Sequence, residues 1–492
     1  MSFETPPRPR WLLRVSLAVG TVLALALGVV VVVDVVYRCD TNVWSSDQGE
    51  CVGVTDGSYA YDTKLEDVSE KILRANEEAE RTPQSVTVAI LMPMTANPGD
   101  SLSIEQIRDY LQGAHIAQLA QNQGGPGLKV RLALANEGRN EHAWEQVTDQ
   151  LLDMVDVPGG DTSENLVAVT GLGLSAPETE RGARKLSAAG VPMVGYLSAD
   201  RFNSTYTENG PAIKGLARVS PSLDQELSAI AAHLDEQPDK PSTALLVHDE
   251  NPYDYYTEDL RSNFKDEFDD ILDNAGSSSA PYSGGPTAFG LDTQFGYIAN
   301  RLCGPNAPRT VLYAGRSNLL PTFIEEVSRI GCPGDQPITV VTGSESTDLP
   351  HKSEAGRSPV SVLYASVSDR AALTDDRNVH KDRYHRFAAA LHENFEKVRE
   401  SNWSVMGHDA TLTATEAAKR SVKGKPIVPT TGGVKANLFL LSHPRDSVPG
   451  VSGQFMLDAD SGDRVSGPIP VLRRDEFGNT TAVDLGGLET AP

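Results

Sequence analysis

Residues 166–198 read LVAVTGLGLSAPETERGARKLSAAGVPMVGYLS. Leu166–Thr170 is a short, unbroken apolar run rich in β-branched residues. The pair Gly171 and Gly173 then breaks it, and Ser175 follows. A polar segment of helical character leads to Ala189-Gly-Val, and a second apolar run, Pro192–Tyr196, closes the stretch at Ser198. A run with no polar alternation is a strand buried on both faces, and two such strands joined by a helix lie parallel in one sheet.

The same unit recurs in both directions. Strands are expected at Val86–Met92, Val130–Ala135, Ala244–His248, Val311–Ala314, Ile338–Val341 and Val362–Ser366. Between them, Ile104, Ile107, Leu111 and Ala114 repeat at three and four residues, as do Phe323, Val327 and Ile330, the spacing of a helix with one buried stripe. With those near the C-terminus there are about ten strand candidates, too many for one doubly wound sheet of common size, so two α/β lobes are the natural division. Further on, residues 342–360 read as a loop, Lys381–Arg399 and Asp409–Arg420 as helices, and Asn437–Leu441, Gly453–Leu457 and Pro470–Arg473 as strands.

The 492 residues include 67 Asp and Glu against 43 Lys and Arg, a net charge of -24. So acidic a surface repels phosphate backbones and argues against a nucleic-acid partner. Arg8, Arg10 and Arg14 precede an uncharged apolar run from Val15 to Val33. At about 1.5 Å per residue that run spans roughly the ~30 Å hydrocarbon core. The arginines keep the N-terminus in the cytoplasm, so the bulk of the chain is expected outside it, on a single-pass anchor over residues 15–37. The run exceeds a signal-peptide core, and Tyr37-Arg38 before Cys39 does not fit a lipoprotein signal.

Cys39, Cys51, Cys303 and Cys332 form no CxxC pair and have no histidine cluster beside them, which argues against zinc. An even count in an exported chain points to disulfides, and proximity favours Cys39–Cys51 and Cys303–Cys332. No metal site or cofactor is expected. Catalytic signatures are missing too. Gly173-Leu-Ser175-Ala-Pro177 is half of a nucleophile elbow with proline in place of the second glycine. The neighbours His248–Asp249 and His408–Asp409 need not face each other. An exported hydrolase would require a base beside Ser175.

Read in order, the strand ends carry a resemblance. Leu166–Ser198 resembles the strand, serine loop, helix and "G-I-P" segment of type I periplasmic binding proteins, in the branched-chain amino acid branch. Ala244-Leu-Leu-Val-His-Asp249 followed by Tyr253 resembles the opening of that family's second lobe. Thr310-Val-Leu-Tyr-Ala-Gly315 and Ile338-Thr-Val-Val-Thr-Gly-Ser-Glu345 resemble its next two strands. Gly407-His-Asp-Ala410 stands at its "YDA" helix, and Gly453-Gln-Phe-Met-Leu-Asp458 with Gly462-Asp463 at its closing hairpin. The match covers roughly residues 85–475.

The resemblance implies two doubly wound α/β lobes joined by three chain crossings, with a small ligand between them. The domains expected are a cytoplasmic N-terminus 1–14, the anchor 15–37 and an extracytoplasmic neck 38–84 with a short helix around Leu65, Val68 and Ile72. Lobe I is 85–220 with 367–430, lobe II is 221–366 with 431–475, and 476–492 is a tail. The implied ligand contacts are Ser175 and Ser198 for a carboxylate, Tyr253 as an aromatic wall and Glu345 for an ammonium. Ser175-x-x-Glu178 also fits a helix capping box. Arg316 departs from the family's aromatic; it fits either a ligand with an extra acidic group or an Arg316–Glu345 ion pair filling the cleft. The implied function is solute capture by hinge closure, for an ABC permease or a signalling partner. The alternative is an interaction module that keeps the fold and docks to another protein.

Overall fold

The computed structural model describes residues 38–486 apart from 125–126, 156–163, 203–212, 274–277, 286–289, 305, 331–336, 350–358, 424–427 and 468. The expected N-terminus and anchor, residues 1–37, lie outside the described residues. Among the described residues no helix is long and apolar enough to cross a membrane.

The first sheet contains β1 (Arg38–Asp40), β2 (Val43–Ser45), β3 (Cys51–Thr55), β4 (Ser85–Met92), β5 (Lys129–Asn136), β6 (Leu166–Gly171), β7 (Met193–Gly195) and β8 (Leu216–Arg218), in the order β1-β2-β3-β5-β4-β6-β7-β8. From β5 to β8 every pairing is parallel. The buried apolar runs dictate this: Val86, Val88, Val167, Val169 and Val194 are almost wholly inaccessible, and so are their neighbours on the opposite face. At about 1.5–3 kcal/mol per buried aliphatic side chain, such strands hold the lobe together.

The second sheet contains β9 (Ala244–Asp249), β10 (Ser279–Tyr282), β11 (Thr310–Ala314), β12 (Ile338–Val341) and β13 (Val360–Ala365), all parallel, in the order β10-β9-β11-β12-β13. A small three-stranded piece comprises β14 (Val448–Gly450), β15 (Gly453–Leu457) and β16 (Arg464–Val465). The chain then returns to add β17 (Val471–Arg474) and β18 (Thr480–Asp484) antiparallel to the edge of the second sheet. Each of the two large sheets has a core on both faces.

Four sequence expectations are corrected. Residues 38–84 are not a neck: β3 pairs antiparallel with β5, and the helix Glu66–Glu80 buries Val68 and Ile72 in the first core. The disulfide Cys39–Cys51 staples this extension. Asn437–Leu441 is not a strand: a helix, Thr431–Leu438, covers its start. Residues 431–465 pack on the first lobe, since Val434, Leu438, Val448, Phe455 and Leu457 join its core. Part of the expected tail forms β18. Cys303 is also disulfide-bonded; Cys332, its expected partner, lies outside the described residues.

The helices Ile104–Gln123 and Asn402–Ser421 cross in the first lobe. A Cβ on Gly113 would stand 1.8 Å from the Ser404 carbonyl oxygen, and one on Gly407 would stand 2.2 Å from that of Tyr110. Only glycine permits backbones this close. Asp409, two residues on, accepts from the backbone N–H of Val451 and Ser452 at 2.8 and 2.9 Å and ties the three-stranded piece to the helix. Its His408 neighbour does face it, at 2.9 Å. The chain passes between the two large sheets after β8, after β13 and before β17, and the first and last of these crossings are bound together: the Arg218 guanidinium meets Asp463 at 2.7 Å and Arg464 donates to the Val219 carbonyl at 3.0 Å.

Candidate functional site

In open parallel sheets the usable crevice lies beyond the carboxyl ends of the strands. Ser175 follows β6, Ser198 follows β7, Arg316 follows β11 and Glu345 follows β12. The fold gathers all four around one small cavity, with Gly173, Leu174, Tyr196 and Trp403 completing its wall. Ser175, Ser198, Tyr196 and Trp403 come from the first lobe; Arg316 and Glu345 come from the second.

The serine loop is held from below. Gly171, Leu172 and Gly173 are three consecutive residues with positive φ, at 89°, 65° and 54°, and the leucine among them is a strained choice. The buried Glu141 carboxylate accepts from the Leu174 N–H at 2.8 Å and from the Thr179 hydroxyl at 2.5 Å. Burial raises Glu141 to about 7, despite those hydrogen bonds. Its neighbour Glu137 is pushed well above the ordinary range by burial and by Glu141. The following helix starts at Pro177 with Ala176 as its cap, so Ser175 is not the N-cap that its spacing to Glu178 fitted. The Ser175 carbonyl instead accepts the Tyr255 N–H across the cleft at 3.1 Å.

Arg316 dominates the opposite wall. Its Nε and Nη2 donate to the two carboxylate oxygens of Asp254 at 2.7 and 2.9 Å, and its Nη1 donates to Glu345 at 2.5 Å. The guanidinium carbon lies 4.8 Å from the Tyr256 ring centroid. Burial works against the guanidinium charge, but Asp254 and Glu345 beside it hold its pKa above the usual value. Burial raises the Glu345 carboxyl, and Arg316 offsets part of that rise. Beneath, Glu226 accepts from the Ser344 N–H at 3.0 Å, and burial pushes it up to about 8.

Tyr253 is 75% exposed and does not line the cavity. The residues that sequence reading missed are its neighbours Asp254 and Tyr256, together with Tyr196 and Trp403. Tyr196 and Trp403 stack edge to face at 5.1 Å. Only one signal pointed to Asp254: an acid placed to start the helix Tyr255–Glu267, where it caps Thr257.

The lobes stand closed. Arg201 of the first pairs with Asp259 of the second, Nη2 to Oδ1 at 2.7 Å, and its guanidinium carbon lies 3.9 Å from the Tyr255 ring centroid. The cavity between them is about 20 Å³, roughly the room one water needs. Among the described residues no group of three or more His, Cys, Asp or Glu is placed to hold a metal ion.

No family model matches the chain, and no curated protein matches it. Solved structures do. A leucine-binding protein of Thermotoga maritima superposes with a TM-score of 0.55 at 16% identity, covering 81% of this chain and 97% of its own. The branched-chain amino acid transporter substrate-binding protein of Streptococcus pneumoniae, in complex with isoleucine, gives 0.56 at 13%, covering 82% and 100%. A solute-binding protein of R. palustris in complex with benzoate gives 0.56 at 14%, covering 82% and 96%. At such identities the likeness speaks to the fold alone. The chain has the fold of the type I periplasmic binding proteins.

Proposed function

We propose that this protein is a membrane-anchored, extracytoplasmic solute-binding protein that captures a small polar, amino acid-like ligand between its lobes, for an ABC-type transporter or a sensing partner. The observation that carries this reading is the convergence of Ser175 and Ser198 from one lobe with Arg316 and Glu345 from the other on one cavity at the carboxyl ends of the strands. The apolar run behind three arginines and the Cys39–Cys51 disulfide support placement outside the cytoplasm. At about 20 Å³ the closed cavity does not hold an amino acid, so capture requires the lobes to part and reclose around the ligand. The ligand would supply the differential affinity for the closed form.

The second reading is an interaction module that keeps the fold and docks to a membrane or cell-surface protein. The ion-paired Arg316 filling the cleft favours it.

The test is a thermal-shift screen of the full-length protein in detergent against amino acids, aromatic acids, small peptides, sugars and polyamines. Ligand at a hundred times its Kd adds about 2.7 kcal/mol to stability. A shift with one class that Ser175→Ala or Glu345→Ala removes supports capture. A folded protein that shifts with no class transfers the weight to the interaction module.

A further inference from the structure

A second cavity lies at the other end of the second lobe, where the strands begin. It measures about 1000 Å³, at the upper end of the range for small-molecule sites. Its floor is the sheet itself. Thr310, Thr339 and Ser361 are direct partners on the adjacent parallel strands β11, β12 and β13, and the Thr339 and Ser361 hydroxyls stand 3.4 Å apart. Two residues further along the same face the partners are Leu312, Val341 and Leu363, which belong to the core. The face thus changes from apolar to a row of hydroxyls where the cavity opens.

Cations surround that row. Arg473, on β17 opposite Leu363, lies on the same face, and Arg309 immediately precedes β11. Both half-buried guanidiniums line the cavity. Arg309 donates to the Leu302 carbonyl at 3.3 Å, and neither arginine forms an ion pair among the described residues. Lys240 also lines the cavity but is already engaged by Asp235 at 2.7 Å and Asp270 at 3.6 Å. Asp239 is the one acid on the wall among the described residues. In a chain of net charge -24, two arginines with no ion pair among the described residues stand beside this hydroxyl floor, while His233 on the same wall faces Asp484 at 4.0 Å.

We infer that this groove binds a small polyanion, a phosphate ester or an oligocarboxylate, independently of the cleft. The hydroxyls donate to its oxygens, and the two guanidiniums supply charge-assisted hydrogen bonds. The test is isothermal titration calorimetry of the full-length protein in detergent with inorganic phosphate, pyrophosphate and citrate at matched ionic strength. The expected result is saturable binding of at least one anion. That binding weakens about tenfold or more in Arg473→Gln and Arg309→Gln and is unchanged in Glu345→Gln. Pyrophosphate without citrate assigns phosphate chemistry, and citrate without pyrophosphate assigns carboxylates. Circular dichroism confirms that each variant is folded, and if one arginine variant unfolds the other carries the comparison. No saturable binding of any of the three overturns the inference. So does binding that both folded arginine variants retain in full, or binding that Glu345→Gln abolishes.

Discussion

Arg316 and Asp254 meet through two parallel hydrogen bonds of 2.7 and 2.9 Å, with both side chains buried. Removing the arginine strands two acids in the cleft. Arg316→Met should therefore lower stability by about 3–5 kcal/mol at pH 7, read by urea denaturation. Neutralising the acids in the same background, with Asp254→Asn and Glu345→Gln, should restore most of that loss. A single substitution costing under about 1 kcal/mol would show that the guanidinium is dispensable.

Glu226 sets a pH dependence. Its pKa is raised from 4.5 to about 8 by burial, so the folded protein keeps a proton that the unfolded chain has already released. Stability is greatest while that proton is bound and falls as pH rises through the folded value. Between pH 6.5 and 8.5 the loss from this group is about 1–2 kcal/mol. Glu141, at about 7, acts in the same direction. His115, lowered to about 4 by burial, acts in the opposite sense but only below 6.5. Glu226→Gln keeps an oxygen for the Ser344 N–H and should make the decline across this window shallower. An unchanged slope of melting temperature against pH refutes the assignment.

Arg201 and Asp259 clasp the lobes. The Arg201 backbone N–H also donates to Asp259, at 3.0 Å. Arg201→Gln removes the charge and the stacking on Tyr255, so the interlobe distance distribution should shift towards open forms. Spin labels at exposed sites on the two lobes read this by dipolar spectroscopy. Unchanged distributions would mean that the remaining interlobe contacts suffice to hold the closed form.

Gly407 tests the helix crossing. Gly407→Ala drives a methyl into the Tyr110 carbonyl at 2.2 Å, and the helices must separate. The expected cost is about 1–3 kcal/mol or more, although alanine is the better helix former by about 1 kcal/mol. Denaturant midpoints of Gly407→Ala and the parent decide it. A more stable variant would contradict the close approach.

The strands buried on both faces were legible because a run such as Ile338–Val341 leaves no doubt about its period; it coincides with β12 residue for residue. The first three strands were not legible. Arg38–Asp40, Val43–Ser45 and Cys51–Thr55 are short, lie at the sheet edge and carry charges, hydroxyls and a glycine. They are strands because β5 offers them a partner, which is tertiary information. Thr431–Leu438 has two glycines in its first turn, and local propensity argues against a helix that packing supplies. In the cleft, the residues at strand ends could be located by topology. The loop after β9 could not, because turning Tyr253 out and Asp254 in depends on Arg316, 62 residues further on.

The three crossings have a consequence for biosynthesis. The first core is complete only when Phe455 and Leu457 arrive, and the second needs Leu472 and Leu485. Before Phe455 is made the chain leaves the first lobe after β8, builds most of the second and returns. A nascent chain that has reached residue 440 therefore carries two unfinished hydrophobic surfaces, each still missing a segment. Neither lobe can close early and wait for the other. A chain broken off before Phe455 would expose both cores together.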